Sequence, residues 1–387
     1  MFSRRTDWKL TPNHFTRTVE ELRLSGREIL DLTLSNPTRA GIVYDGPAIL
    51  DSLRNLKSLD YDPQAKGLLS AREAVAAYYT DRGEHIDPEH LVLTTSTSEG
   101  YSYIFRLLAN PGDEVLVPQP SYPLFDFLAE LQDMKLVGYP LLYDHGWQIE
   151  WPSLESAVTE RTRAAVVVHP NNPTGSYAAA GERERLSELC HERGLGLIVD
   201  EVFLDYSHDG SRRSSFVAND GALTFTLSGI SKVSALPQMK LAWIAVSGPR
   251  SDTELAVQRL EVVADTYLSL NAPVQLAADV FLEQRKKIQP QLMQRVRGNL
   301  AELDHQFAGQ KSSERLEIEG GWYAVLRVPV MQSDEELAIA LLQNTGTMVH
   351  PGHFYDFPRH GYLVISLITP EKDFREGISR LLNFLGH

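Results

Sequence analysis

The chain has 387 residues, 43% hydrophobic and 23% charged, and its net charge of −14 argues against nucleic acid or an anionic membrane as the main partner. Any phosphate in a ligand must then be held by a local constellation of donors. One cysteine, Cys190, excludes an intrachain disulfide framework. The opening stretch MFSRRTDWKLTPNHF lacks a signal-peptide core and no long uncharged apolar run occurs, so a cytoplasmic protein without a membrane span is expected.

In chain order, residues 1–45 lead through DLTLSNPT (31–38) into a stretch of alternating strands and helices. LVLTT (91–95), EVLVP (114–118), AAVVVHP (164–170), GLGLIVD (194–200), ALTFTL (222–227) and LAWIAV (241–246) read as short buried strands. Amphipathic segments such as Ser98 to Ala109 and Glu182 to Arg193 lie between them, and Cys190 reads as a buried thiol on the second. Val/Ile/Leu-rich strands alternating with helices predict an α/β fold with a mainly parallel sheet. After Asn271-Ala272-Pro273 the pattern changes. A long helix from Val274 to about Gln306, the hairpin RLEIEGGWYAVLRVP, a helix near 334–344, the loop PGHFYDFPRHG, the strand YLVISLI and a terminal helix over 371–385 follow. The expected division is a large domain, 46–272, and a smaller α+β domain made of 1–45 and 273–387.

Open parallel sheets bind ligands at the carboxyl ends of their strands. Five unusual groups of residues fall at or just beyond such ends. Ser96, Thr97 and Ser98 open a helix, where free N–H groups and hydroxyls suit an anion, although Ser96 with Glu99 also reads as a plain capping box. Tyr122, in PQPSYP, is either a flat lid for an aromatic ligand or a packed turn residue. Asn172, in NNPTG, presents an amide suited to a phenolate oxygen, on a turn fixed by Pro173 and Gly175. Asp200 ends its strand, and a carboxylate there needs a cationic partner such as a protonated pyridine nitrogen; a helix cap or a metal ligand is the alternative, and no nearby His/Cys spacing supports a metal. Lys232, in the hydroxyl-rich turn LSGISKVSALPQMKLAW, is a sheltered amine suited to bond an aldehyde and then act as acid and base at a substrate Cα. Lys240 follows as a point charge for a phosphate. A phosphate seat, an aromatic lid, an amide, a carboxylate for a ring nitrogen and an amine for an aldehyde together describe pyridoxal 5′-phosphate.

In the order YDPQAKGLLSAREAVAAYY (61–79), ANPGDEVLVPQPSYP (109–123), NNPTG, VDEVF and SK-x-x-ALP-x-x-K, the chain resembles a fold-type-I, class I/II aminotransferase of the aspartate aminotransferase superfamily over nearly its whole length. The resemblance implies a seven-stranded-type sheet, Lys232 as the Schiff-base lysine, Asp200 as the partner of the pyridine nitrogen and Asn172 as the ligand of O3′. Tyr122 would be the stacking ring and Ser96, Thr97 and Ser98 the phosphate seat. Tyr61, in the family's Tyr-x-x-x-x-x-Gly segment, would reach the phosphate of a neighbouring subunit, which implies a homodimer. An amino donor and a 2-oxo acid acceptor would exchange nitrogen by ping-pong chemistry.

Several positions depart from the family pattern. Phe203 replaces a tyrosine that donates to O3′, Gly229 replaces a serine, and Lys240 replaces an arginine fork. Val364, in Tyr362-Leu363-Val364-Ile365-Ser366, stands where an arginine clamps the substrate carboxylate. Arg39 and Arg359 are the nearest replacements in sequence, and Ser35 takes the place of a substrate-loop glycine. A lyase, oxidase or decarboxylase on an atypical amine therefore competes with transamination, and a non-catalytic binder is the remaining reading. No strand is followed by G-x-G-x-x-G, which disfavours a nicotinamide enzyme.

Overall fold

The computed structural model describes residues 1–386. Helix His14–Leu24 and a two-residue strand, β1 (Leu30–Asp31), come first. Eight strands then form one sheet: β2 (Leu91–Thr94), β3 (Glu114–Gln119), β4 (Lys135–Tyr143), β5 (Trp147–Ile149), β6 (Thr162–Val168), β7 (Gly196–Asp200), β8 (Thr224–Gly229) and β9 (Ala242–Ser247), in the order β2-β9-β8-β7-β6-β3-β4-β5. The run from β4 through β3, β6 and β7 to β8 is parallel. β9 is antiparallel to both its neighbours, because only a short turn segment separates it from β8 and no crossover is possible. The fold is thus α/β with a mixed, mainly parallel sheet.

The six expected strands are present. β4 and β5 were not legible, since β4 is half-buried with a proline inside it and β5 is a short hairpin return along it, lengthening the sheet to eight strands. Side chains pack on both faces. Ile104, Phe105 and Leu260 lie in one cluster, and Tyr79, Trp243 and Phe281 in another. Each fully buried aromatic there contributes roughly 2–3 kcal/mol of transfer free energy. Helix Thr97–Leu108 approaches β8 so closely that a Cβ on Gly100 would lie 2.6 Å from Leu227. Cys190 is fully buried on helix Ala180–Arg193, and burial pushes its thiol up to about 12, as suits a structural residue.

The long helix expected from Val274 is three helices, Ala272–Leu276, Ala278–Glu283 and Arg285–Phe307, separated at Ala277 and Gln284. Beyond them β10 (Glu314–Arg315), β11 (Tyr323–Arg327), β12 (Thr347–Met348), β13 (His350–Pro351) and β14 (Tyr362–Ser366) complete the strands. β10, β11, β14 and β13 form an antiparallel sheet in that order, while β12 pairs in parallel with β1. The backbone N–H of Ser366 donates to Leu32 (2.7 Å), and Phe15, Val19 and Leu32 enter the same core as Trp322, Ile365 and Phe374. The N-terminal segment therefore packs with the C-terminal sheet.

Candidate active site

The ends of β2, β6, β7 and β8 converge on Lys232. β8 runs out at Gly229 and gives way to the single turn Ile230–Val233, whose Lys232 carbonyl accepts from the Tyr206 hydroxyl (2.7 Å). Gly229 has an ordinary extended backbone. Its reason is space, because a Cβ would lie 2.8 Å from that of Ala242 on β9. The Lys232 Nζ lies 4.9 Å from the ring centre of Trp322 and 5.4 Å from that of Phe203. Protein surrounds the amine, although the residue as a whole is only partly buried, and this burial lowers its pKa to about 8 against the pull of Asp200. A useful fraction is therefore free base near neutral pH.

Asp200 closes β7. Its carboxylate accepts from the backbone N–H of Val202 and the hydroxyl of Tyr101, both at 3.2 Å. Burial nevertheless raises its pKa to about 6, with those donors and Lys232 opposing. A second cation is what this carboxylate lacks. Asn172 follows β6 and is 7% exposed, and its Oδ1 is buried without a hydrogen-bond partner. Its neighbour Asn171 does the structural work of the turn, accepting from the Thr174 hydroxyl (3.0 Å) and donating to Pro120 (3.3 Å). Gly175 has φ +69, and a Cβ there would lie 2.5 Å from the Gly320 carbonyl. The amide of Asn172 is thus presented on a rigid turn with no partner of its own.

Ser96 is the N-cap of helix Thr97–Leu108. It accepts from Glu99 N (3.2 Å), and Glu99 accepts from Thr95 N (2.6 Å) rather than from Ser96 N, so Ser96 caps the helix but the expected reciprocal capping box is not closed. The hydroxyls of Thr97 and Ser98 make no hydrogen bond within the described residues, and the first N–H groups of the helix have no intrahelical acceptor. Lys240 is exposed at φ +56, without an ion pair among the described residues. Tyr122 is 46% exposed and close enough to Asp200 for that carboxylate to raise its pKa. Phe203 is buried against Trp322 (5.1 Å between ring centres) and Tyr206 (6.2 Å), forming an apolar wall beside Lys232 that offers no hydrogen bond. Tyr61 is 84% exposed and lines a surface cleft with Tyr103 and Asn271, pointing outward from its own chain.

On the substrate side, Ser35 is exposed and lies beside Tyr323, whose pKa burial raises and Ser35 partly offsets. Arg39 and Arg359 are exposed and make no ion pair among the described residues. Sequence reasoning missed Tyr101, Trp322, Tyr323 and Tyr355. Tyr101 lies one helical turn after Thr97, so it was reachable by periodicity; the others come from β11 and from turns flanking the distant antiparallel sheet and carry no local signal.

The sequence profile of "Aminotransferase class I and II" matches residues 53–381. The chain is similar to a glutamate-pyruvate aminotransferase of Haemophilus influenzae, 27% identical over 95% of this chain and 93% of the other. An S-alkyl-thiohydroximate lyase of Arabidopsis thaliana is 31% identical over 62% of this chain and 53% of its own. In fold it is similar to an alanine aminotransferase from Pyrococcus furiosus, with a TM-score of 0.90 at 22% identity and complete coverage of both chains.

Proposed function

Because the chain belongs to the class I and II aminotransferase family, we propose that it carries pyridoxal 5′-phosphate on Lys232 and moves an amino group from an alanine-type amino acid to a 2-oxo acid by ping-pong exchange. The observation that carries this reading is the buried Lys232–Asp200 pair, an amine held near pKa 8 beside a carboxylate that lacks a second cation. The residues present fit the cofactor: the open N–H groups at Thr97 and Ser98 and the desolvated Asp200 each lack what it would provide, and the Asn172 Nδ2, which makes no hydrogen bond among the described residues, is free to donate.

When bound, the cofactor supplies an aldehyde carbon to carry the nitrogen and an electron sink for the pair left at the substrate Cα. Lys232 Nζ would hold the cofactor and would take and return the substrate Cα proton, a task its lowered pKa suits. Asp200 pairs with the ring N–H⁺ and recovers the cost of its own burial. Asn172 donates from its amide to the phenolate oxygen. Phe203 leaves that donation unshared. Tyr122 covers the ring, and Ser96, Thr97 and Ser98 seat the phosphate with Lys240 as a point charge. Tyr61 serves the site of a second copy, so the working form is a homodimer; its outward exposure supports this. Residues 46–272 form the cofactor-binding unit and 1–45 with 273–387 the unit that covers it. Neither Arg39 nor Arg359 is proposed as a carboxylate clamp. The protein works in the cytoplasm, which its single buried cysteine supports.

The test is a half-reaction. L-alanine should bleach the visible band of the cofactor-loaded protein, and pyruvate should restore it. A band that no amino donor alters would sink the proposal. Ammonia or 2-oxo acid released repeatedly without an acceptor would favour the lyase-type chemistry of the Arabidopsis relative instead.

A further inference from the structure

The antiparallel sheet carries a valine, Val364, where the resemblance implies an arginine, and its β11 begins next to Trp322, whose ring centre lies 4.9 Å from Lys232 Nζ. Val364 is fully buried on β14, opposite Val325 on one side and His350 on the other. Residues directly opposite in an antiparallel pair share one face of the sheet, with Cβ atoms roughly 5 Å apart. His350 is therefore the basic side chain adjoining the position of Val364 on its own face. Its Nδ1 lies 3.0 Å from the Tyr355 hydroxyl. The Tyr355 carbonyl accepts from the backbone N–H of Ser121 (2.9 Å), which sets Tyr355 beside Tyr122 just beyond β3; burial raises the pKa of both tyrosines, with Tyr323 and Tyr122 adding to it at Tyr355 and Asp200 at Tyr122. Tyr355 therefore stands between His350 and the residues around Asp200.

We propose that Tyr355, oriented by His350, receives the α-carboxylate of the amino donor, so that a hydroxyl backed by an imidazole stands in for an arginine. The inference rests on the aminotransferase reading above. His350 Nδ1–H donates to Tyr355 Oη, and the phenolic O–H donates to the carboxylate. Tyr355 is a binding residue in this scheme and His350 a positioning residue.

The groups facing His350 are few. Asp31 on β1 raises its pKa, Tyr355 bonds its Nδ1, and the Phe354 ring packs 5.9 Å away. Asp334, on the helix packed against β13, is taken up by Gly361 N (2.6 Å), with His360 at 3.9 Å. Burial dominates and holds the imidazole near 4, so it is neutral at pH 7 without substrate. A carboxylate about 6 Å away, at an effective dielectric near 20, would lift that value to roughly 6. The complex then binds a proton that the free protein does not. Carboxylate affinity is greatest in acid and falls about tenfold between pH 5 and pH 7.5 through this one group.

The experiment is calorimetric titration of the cofactor-loaded protein with 2-methylalanine, which has no Cα hydrogen and stops at binding, and with its carboxamide. It is run at pH 5 and 7.5 in buffers of different ionisation enthalpy. Wild type should gain about tenfold affinity for the acid at pH 5 relative to His350→Gln, with matching extra proton uptake. His350→Gln keeps a donor for Tyr355 but cannot titrate, so it should retain affinity at pH 7.5 and lose only the acid increment. Tyr355→Phe should weaken the acid at both pH values, and the carboxamide should show no increment in any protein. A visible band that responds to 2-methylalanine, with an acid increment that survives His350→Gln, overturns this inference alone. A band that stays unchanged in wild type overturns the aminotransferase reading and this inference with it.

Discussion

Replacing Asp200 by Asn should stabilise the cofactor-free protein at alkaline pH while weakening its hold on the cofactor. The folded carboxyl titrates near 6 against an ordinary value of 3.8. A folded pKa above the unfolded one contributes stability that is complete below the unfolded value and is lost as pH rises through the folded one. Wild type therefore forfeits about 3 kcal/mol between pH 3.8 and pH 8, which an asparagine does not. Lys232 returns some of this through its attraction to the carboxylate. At pH 8, however, about half of the Lys232 amines are neutral, so the net advantage of Asp200→Asn should be about 2–3 kcal/mol. At ~2.1 cal/mol/K per residue the chain's unfolding entropy is about 0.8 kcal/mol/K, so Tm should rise by about 3–4 °C. The advantage should fall to about half at pH 5, where the folded carboxyl is mostly protonated. The assay is thermal unfolding of cofactor-free wild type and variant at one protein concentration, at pH 5 and pH 8, repeated after cofactor loading. Loading should raise Tm further in wild type than in the variant, because only the carboxylate can pair with the ring cation. A variant less stable than wild type at pH 8 without cofactor, or one whose advantage grows in acid, would refute the reasoning.

Three other substitutions probe separate parts of the account. Phe203→Tyr places a hydroxyl in the wall beside Lys232 and should lower, by about one pH unit, the titration midpoint of the visible band in the loaded protein, since a donor to the phenolate favours the charged form; an unchanged midpoint counts against the placement. Gly175→Ala forces a Cβ against the Gly320 carbonyl at φ +69 and should cost about 1–3 kcal/mol in chemical denaturation, with a drop in cofactor affinity because the Asn172 turn shifts. Tyr61→Phe should leave stability within about 0.5 kcal/mol, given its exposure, yet weaken cofactor binding severalfold in a dimer; equal affinity for the two proteins would remove Tyr61 from the site.

What the sequence made legible follows from which interactions are local. Short Val/Ile/Leu runs ended by Asp200 or by the Asn-Pro turn reveal buried strands and their carboxyl ends, because burial pattern and chain breakers act within a few residues. β4 escaped since it is half solvated, covered on its outer side only by the short β5, and its burial pattern alternates too weakly to be told from loop. The breaks at Ala277 and Gln284 escaped because neither residue opposes helix; packing, not propensity, bends the chain there. At the site, the residues in one strand-end turn were readable, whereas Trp322 over Lys232 and His350 beside Val364 depend on sheet register set by residues far apart. Ser96 was ambiguous between cap and anion ligand, and the structure engages its side chain as the cap while leaving Thr97 and Ser98 open.

The central claim, that Lys232 carries the cofactor, is tested most directly by borohydride reduction of the loaded protein followed by mass mapping of its peptides. The account predicts one phosphopyridoxyl group per chain, on the peptide containing Lys232, and none when Lys232→Ala is treated alike. Modification fixed at Lys240 or another lysine, or an equal yield in Lys232→Ala, would contradict it.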